Sequence, residues 1–551
     1  MLFVRALRPF LYSYEQGIFH LKAVNNLFLA LFLFLPIVFL SAQETGNDIN
    51  VKTEKPDSVY VIREIEFDVT GRSRPFALIS SGKFREGERI KGKDSLDKYL
   101  AQKKQLLMNQ QVLEEVTIEC ISGESESDGA IPVRLLVHVK DTWNFIVLPY
   151  PKYDSNEGFS ITLKARDYNF LGTMSALRVD LGYKNDSGEQ SVNFLLDSDI
   201  PFYASGLHWV LNFDNYFNYA FNEPLYYQNI TGLSLLLPWH DTIVTAGFNQ
   251  YLTVNEENTA HDIDVLDIAN RYYGVYASTE LYVSWKLPLG IEIGSFGELE
   301  YTPGVSGRIN YPYDSMDDPR KFLTTFNHSI GFGRIDWIGN YRKGLSASIG
   351  NFYNWYFDRS DAPLRIGLNA EAVFYWTFSK YTGLSSKLNY RQWWHWSDKL
   401  GGNIPYYSAG DMTRGLINDD IRVDQILTFS LDLPIRILRF WPSEWSNNKK
   451  LHILDFEMHL SPFTDFAIFS GPYNRLKDKN NPYAEKTQFS LDDIINTVGI
   501  EVFVFPAFFR SMKIRASIGY NLNRIRQEGV SLTGGFFPEW DEIFIGLDHS
   551  Y

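Results

Sequence analysis

Cysteine is almost absent. One thiol, Cys120, in 551 residues excludes an internal disulfide and a cysteine-built metal site. The 10 histidines are too scattered to stand at ligand spacing. No Gly-x-Ser-x-Gly elbow, Walker loop or His-Glu-x-x-His segment occurs, and the acidic pair Asp492-Asp493 reads as a solvated turn, so no enzyme, cofactor or metal is expected. Basic charge is in deficit: 52 Lys and Arg against 66 Asp and Glu leave a net charge of −14, which argues against a nucleic-acid partner. Long apolar runs are missing too. Beyond Leu27–Leu40, no uncharged stretch reaches the roughly 18 apolar residues of a membrane-crossing helix. A mean hydropathy of −0.21 is too polar for a helical membrane protein.

Aromatic residues, by contrast, are abundant, with 33 Tyr, 41 Phe and 13 Trp making up 16% of the chain. High aromatic content without apolar helices is the composition of a transmembrane β-barrel, whose strands alternate polar and apolar residues between two aromatic girdles. The start of the chain fits export. Arg5, Arg8 and Lys22 precede the apolar run Leu27–Leu40, and Ser41-Ala42-Gln43 follows it, so 1–43 reads as a signal peptide. A membrane anchor is the alternative, but the run is short for a span of about 20 residues. Residues 44–57 are polar and read as a linker.

A small α+β domain is expected over 58–142. Tyr60–Val69 alternates as a strand and stops at Gly71, and Phe76–Phe84 suits a short helix. Asp94 then caps an amphipathic helix carrying Leu96, Tyr99, Leu100, Leu106 and Leu107. Val112–Cys120 and Val133–Val139 follow as strands around an acidic turn. From 143 to 551, about ten-residue alternating segments recur between turn residues, from Trp143–Tyr153 to Glu542–Tyr551. Eighteen can be counted. Tight turns are expected at Pro238–Asp241, Pro288–Gly290 and Asn340-Tyr341, and long loops at 254–276, 303–323, 395–422 and 470–496.

Several local features resemble the BamA-type superfamily (the bacterial surface antigen family). The strand, helix, helix, strand, strand order, ending in Val139-Lys140-Asp141-Thr142-Trp143, is similar to a POTRA domain entering its barrel. Arg166–Thr173 (RDYNFLGT) resembles the family's turn near the barrel start. Thr413-Arg414-Gly415-Leu416 resembles the Arg-Gly motif of its sixth extracellular loop, although Thr413 and Leu416 depart from the usual flanking residues. Asp432, in Phe429–Pro434, and Asp465, in Phe463–Phe466, stand where the family has acids on the next two strands. The resemblance implies that the loop folds into the lumen and that Arg414 pairs with Asp432 and Asp465. Physically, a buried charge needs a partner and an arginine fork suits carboxylates; a solvated arginine and two ordinary lumen acids are the alternative. Arg414→Ala is then expected to loosen the loop, and a charge exchange with Asp465 to restore it in part. Glu542–Tyr551 resembles the C-terminal signal of barrel substrates, with Gly546 and Tyr551 at the expected spacing and His549 where an apolar residue is usual.

The resemblance implies a bacterial outer-membrane barrel of 16 strands with its N-terminal domain in the periplasm. The count of eighteen means either an over-divided segment or one extra hairpin between 206 and 303; sixteen is favoured and eighteen is the alternative. It also implies a function: inserting outer-membrane proteins or translocating a partner polypeptide. The expected partners are outer-membrane lipids, an unfolded or extended client and periplasmic helper proteins. The seam between first and last strands would template a client strand, weakened at Gly546. A passive channel or structural surface barrel is the competing reading.

Overall fold

The computed structural model describes residues 58–549 apart from 127–128, 155–157, 187–188, 222–224, 241, 255–274, 312–321, 358–363, 395–406, 410–411, 416–421, 471–488, 491–493, 510–511 and 524–541. The expected signal peptide and linker, Leu416, the Asp492-Asp493 pair and Tyr551 lie outside these residues.

The small domain contains β1 (Val59–Thr70), α1 (Pro75–Gly82), β2 (Arg89–Lys91), α2 (Lys93–Met108), β3 (Leu113–Ser122) and β4 (Ala130–Asp141). Its sheet runs β2-β1-β4-β3, with β1 parallel to β4 and the other pairs antiparallel. The helices form where expected, but α2 is not capped by Asp94. Its N-cap is Gly92, because β2 hands the chain to the helix two residues earlier and leaves Asp94 in the first turn. There its charge still favours the positive helix end. Leu96 and Leu107 are fully buried and Tyr99 nearly so, against Ile62, Leu78, Leu113, Val133, Leu135 and Val137. This core continues into the barrel through Ile146 and Tyr168, with Leu148, Met174 and Phe509 packed on it.

The barrel strands are β5 (Phe145–Asp154), β6 (Gly158–Asp167), β7 (Leu177–Asp186), β8 (Glu189–Ala204), β9 (Leu207–Ala220), β10 (Tyr226–Trp239), β11 (Thr242–Val254), β12 (Val275–Glu292), β13 (Glu298–Tyr311), β14 (Phe322–Ile338), β15 (Tyr341–Tyr356), β16 (Leu364–Ser379) and β17 (Thr382–Trp394). A two-residue ribbon, β18 (Tyr407–Ser408) with β19 (Arg422–Val423), interrupts them. Then follow β20 (Gln425–Asp432), β21 (Ile435–Phe440), β22 (Phe456–Ser470), β23 (Ile495–Pro506), β24 (Met512–Asn521) and β25 (Glu542–His549). Each pairs antiparallel with its neighbours, and β25 meets β5 to close the ring.

β20 and β21 both lie between β17 and β22 and are one strand broken at Leu433-Pro434, where proline cannot donate to the ladder. The barrel therefore has 18 strands, correcting the favoured 16. No segment in 206–303 is over-divided: β9 to β13 hold unbroken or nearly unbroken ladders. Two boundaries also move. β12 runs through Pro288 with a bulge and turns at Ile293–Gly297, not at Pro288–Gly290. β13 continues to Tyr311, because Val305 and Ile309 keep facing outward and take 303–311 out of the expected loop.

The outer wall is apolar. Leu163, Leu181, Phe248, Leu281, Val283, Val305, Ile309 and Phe326 are all exposed, Leu281 at 65%. Trp239 stacks on Trp285 and Trp376 on Phe378 near the short-turn end, while Tyr219, Phe221, Tyr311, Trp355 and Phe357 gather near the other. These are the two girdles of a membrane-spanning barrel. No helix among the described residues is long and apolar enough to cross a membrane.

Candidate functional site

Three places gather the residues singled out in the sequence. The first is the lumen wall of β20–β24. On β22 the odd-numbered residues Glu457, His459, Ser461, Phe463, Asp465, Ala467 and Phe469 are buried, while Phe456, Met458, Leu460, Pro462 and Phe466 on the alternate positions are less so. The loop after β17 returns to this inner wall: Ala409, Val423, Ile426, Ala467, Phe469 and Ile495 form a buried cluster, with Tyr407 and Met412 against it. Arg414 is fixed on that platform. Its Nε and Nη2 donate to Asp465 Oδ2 and Oδ1 at 2.9 and 2.6 Å, and its backbone N–H donates to Asp465 Oδ2 at 3.0 Å. Nη1 donates to Asp432 Oδ1 at 2.7 Å and lies 3.2 Å from Glu501 Oε1. The guanidinium sits 3.9 Å above the centre of the Phe463 ring, where the π face favours a cation.

The side chain of Arg414 is 19% exposed and that of Asp465 1%. At such burial the bidentate geometry and second acceptor offset desolvation, and removing the arginine leaves acids unpaired. Gly415 follows at φ 81°, and a Cβ added to Gly519 would lie 2.9 Å from Gly415 N. Backbone here lies against backbone with no room for side chains.

The structure thus brings Arg414, Gly415, Asp432 and Asp465 together. It adds Glu501, which sequence reading missed. Glu501 also accepts from Arg515 Nε at 3.0 Å and pairs with its Nη2 at 2.8 Å, so Arg414 holds three carboxylates, one of which it shares with Arg515. The signal was available: Glu501 is the one charge in Thr497–Pro506, an otherwise uncharged strand.

The second place is the joint between the small domain and the barrel, where two of the quoted motifs meet. Asp141 accepts from Arg72 N at 2.6 Å, Ser73 N at 3.0 Å, Ser73 Oγ at 2.6 Å and Asn169 Nδ2 at 3.1 Å. Asn169 is fully buried and also donates to Ser73 Oγ at 2.8 Å. Arg74 N donates to Gly172 O at 2.8 Å. Gly172 has φ +74°, and a Cβ there would lie 2.0 Å from Arg72 O, so only glycine fits. On the far side, Gln105 Nε2 of α2 donates to Trp337 O at 3.0 Å, and Asn109 accepts from Trp337 N at 3.0 Å and donates to Asp336 Oδ1 at 3.0 Å. β14 stands halfway round the ring from β5, so the domain spans the short-turn mouth.

The third place is the seam. β25 pairs with β24 over eight residues, and there Gly546 faces Arg515 and His549 faces Met512. With β5 it pairs at two positions among the described residues, Phe544 with Asp154 and Ile545 with Tyr153. Both lie toward the loop end. At the short-turn end the Trp143 ring stacks on Phe508 at 5.9 Å, reaching past β25 to the β23–β24 turn.

Several solved structures are similar to the chain. CdiB from Acinetobacter baumannii matches over 89% of this chain and 74% of its own, with 10% identity and a TM-score of 0.44. CdiB from Escherichia coli matches over 92% of each, with 9% identity and a TM-score of 0.39. BamA from Haemophilus ducreyi lacking POTRA domains 1–3 matches over 89% and 84%, with 14% identity and a TM-score of 0.36. No family model matches the chain, and no curated protein does. Its class rests on its own geometry: a closed 18-stranded antiparallel membrane barrel, with a small α+β domain across one mouth and an arginine-pinned loop inside.

Proposed function

We propose that this chain is an outer-membrane barrel of the BamA type, its POTRA-like domain periplasmic, that inserts outer-membrane proteins or translocates a partner polypeptide. The observation that carries this reading is the seam, where among the described residues β25 meets β5 at two positions near the loop end and β5 is unpaired with it from Phe145 to Lys152. A strand edge open over that length next to the bilayer offers backbone donors and acceptors to an extended client, the chemistry of β-augmentation. Arg414, Gly415, Asp432 and Asp465 keep the loop on the wall beside that edge, so β22–β24 stay rigid while the seam opens. The small domain across the mouth places its own sheet in the path of an arriving chain; helper proteins would dock on the same domain. No catalytic step or cofactor enters. The Gly546–Tyr551 terminus serves assembly of the barrel itself.

Depletion of the protein, followed by quantitative proteomics of the outer membrane, tests the reading. A broad fall in other barrel proteins means a general insertase. Loss of one surface or secreted protein means a dedicated transporter. An unchanged proteome overturns the proposal in favour of a channel or structural barrel.

A further inference from the structure

One connection at the domain end departs from its neighbours. Ser205-Gly206, Gly339-Asn340 and Lys380-Tyr381 are two-residue turns, whereas β21 and β22 are separated by Trp441–Asp455. This loop holds a short helix, α3 (Pro442–Trp445), and a 3-10 turn, Lys449–Leu454. It is internally braced. The carboxylate of Asp455, with 0% side-chain exposure, accepts from Ser443 N at 3.1 Å, from Ser443 Oγ and from His452 Nδ1 at 2.8 Å. Its carbonyl accepts from Ala507 N at 2.8 Å, and Asn448 accepts from Lys450 N at 3.0 Å.

What this frame presents is apolar and basic. Trp445 is 66% exposed, Ile453 60% and Leu454 52%, and Lys449 and Lys450 are exposed beside them. Arg439 is already paired with Glu444 at 2.8 Å. The loop lies on the outer side of the wall. The Trp445 ring meets Phe440 edge-on at 5.1 Å, and Phe440 lies 5.3 Å from Phe456. The register continues through Leu438 with Met458 and Ile435 with Leu460, on the face opposite buried Glu457, His459 and Ser461. The exposed group is thus an extension of the lipid-facing wall past the last strand residue.

We propose that the β21–β22 loop is a lipid anchor. Trp445, Ile453 and Leu454 seat in the interfacial zone of the phospholipid leaflet on the domain side, and Lys449 and Lys450 reach its phosphates. Indole prefers that zone, and lysines beside it are drawn to anionic headgroups. Because Asp455 already orders the loop, seating it costs little further conformational entropy. The anchor holds the wall three strands from the seam at a set depth. It rests on the reading of the barrel as membrane-spanning.

The test uses the full chain in phospholipid vesicles, in a Cys120→Ser background, with a fluorescent label on one introduced cysteine. Three variants are compared: Ile453→Cys in the loop, Leu281→Cys on the outer wall, and Lys104→Cys on the exposed side of α2. Quenching by brominated phospholipid is expected at 453 and 281 and not at 104. At 453, brominated phosphatidylglycerol should quench more than brominated phosphatidylcholine, and Lys449→Glu/Lys450→Glu should abolish that excess. If 281 is quenched while 453 behaves like 104, the anchor is wrong and the apolar group serves a protein partner instead. If 281 is not quenched either, the membrane-spanning reading fails and the anchor with it.

Discussion

From β22 to β5 the barrel passes from a heavily fastened wall to a barely fastened joint. β22 and β23 pair from Phe456 with Pro506 to Ala467 with Ile495, and inside that wall Arg414 ties one loop to acids on three strands. Two strands further on, β25 holds β5 at two positions among the described residues. The contrast shows where conformational freedom has been left. The wall is stiffened by buried charge, whose loss is costly, while the seam shows, among the described residues, two paired positions and the Trp143–Phe508 stack, each of modest net strength.

The sharpest way to break this contrast is to make the seam as strong as the wall. Tyr153→Cys with Ile545→Cys, in a Cys120→Ser background, should crosslink on oxidation and stop client handling completely, with recovery after reduction. Client maturation assayed before and after reductant checks this; undiminished handling by the crosslinked protein means the seam does not open.

Next in size is the opposite change. Arg414→Ala should cost the loop anchorage about 3–5 kcal/mol, since it strands buried carboxylates. Limited proteolysis of the 395–422 loop measures it, and unchanged cleavage would mean the arginine does not hold the loop. Glu501 also alters the expected charge exchange. Arg414→Glu with Asp465→Arg should not restore protection, because the new carboxylate faces both Asp432 and Glu501.

A smaller effect is expected at the joint. Asp141→Ala removes an acceptor from four donors and should weaken domain docking by about 2–3 kcal/mol, seen as earlier protease release of 58–142 with the barrel intact. The least effect concerns Cys120. Burial pushes its thiol up, so alkylation should be slow at neutral pH and quicken as pH rises, as the thiolate forms. Mass spectrometry of the alkylated chain follows it. Fast neutral labelling would show that the domain opens around β3 and is looser than the seam it stands beside.

Much of this was legible in the sequence because period-two alternation and aromatic girdles are local signals. Leu281 and Val283 announce an outer face without any knowledge of neighbours. The strand count misled where family expectation was set against residues: the segments of 206–303 were each strands, and sixteen was preferred on resemblance alone. Boundaries failed where a local breaker was overruled by the ladder, as at Pro288 and Pro303, which the barrel accommodates within paired strands. Asp94 failed as a cap because β2, a three-residue strand too short to show alternation, fixes where α2 begins. Arg414, Gly415, Asp432 and Asp465 were chosen by motif, and Glu501 was overlooked because no motif marks it.

The amino-acid sequence by itself determined the class of the protein: too few apolar runs for helices, too many aromatics for a soluble domain, and alternation over some 400 residues. It also marked the residues of the joint and of the lumen loop. Only the tertiary structure decided that RDYNFLGT and Asp141 form one clamp, that a third acid shares Arg414, that the described seam residues pair at two positions, and that Trp445 packs on Phe440. Those facts depend on register and closure, which bring residues hundreds of positions apart onto one face. Alternation specifies which face a side chain takes, and only the closed ring specifies what stands opposite it.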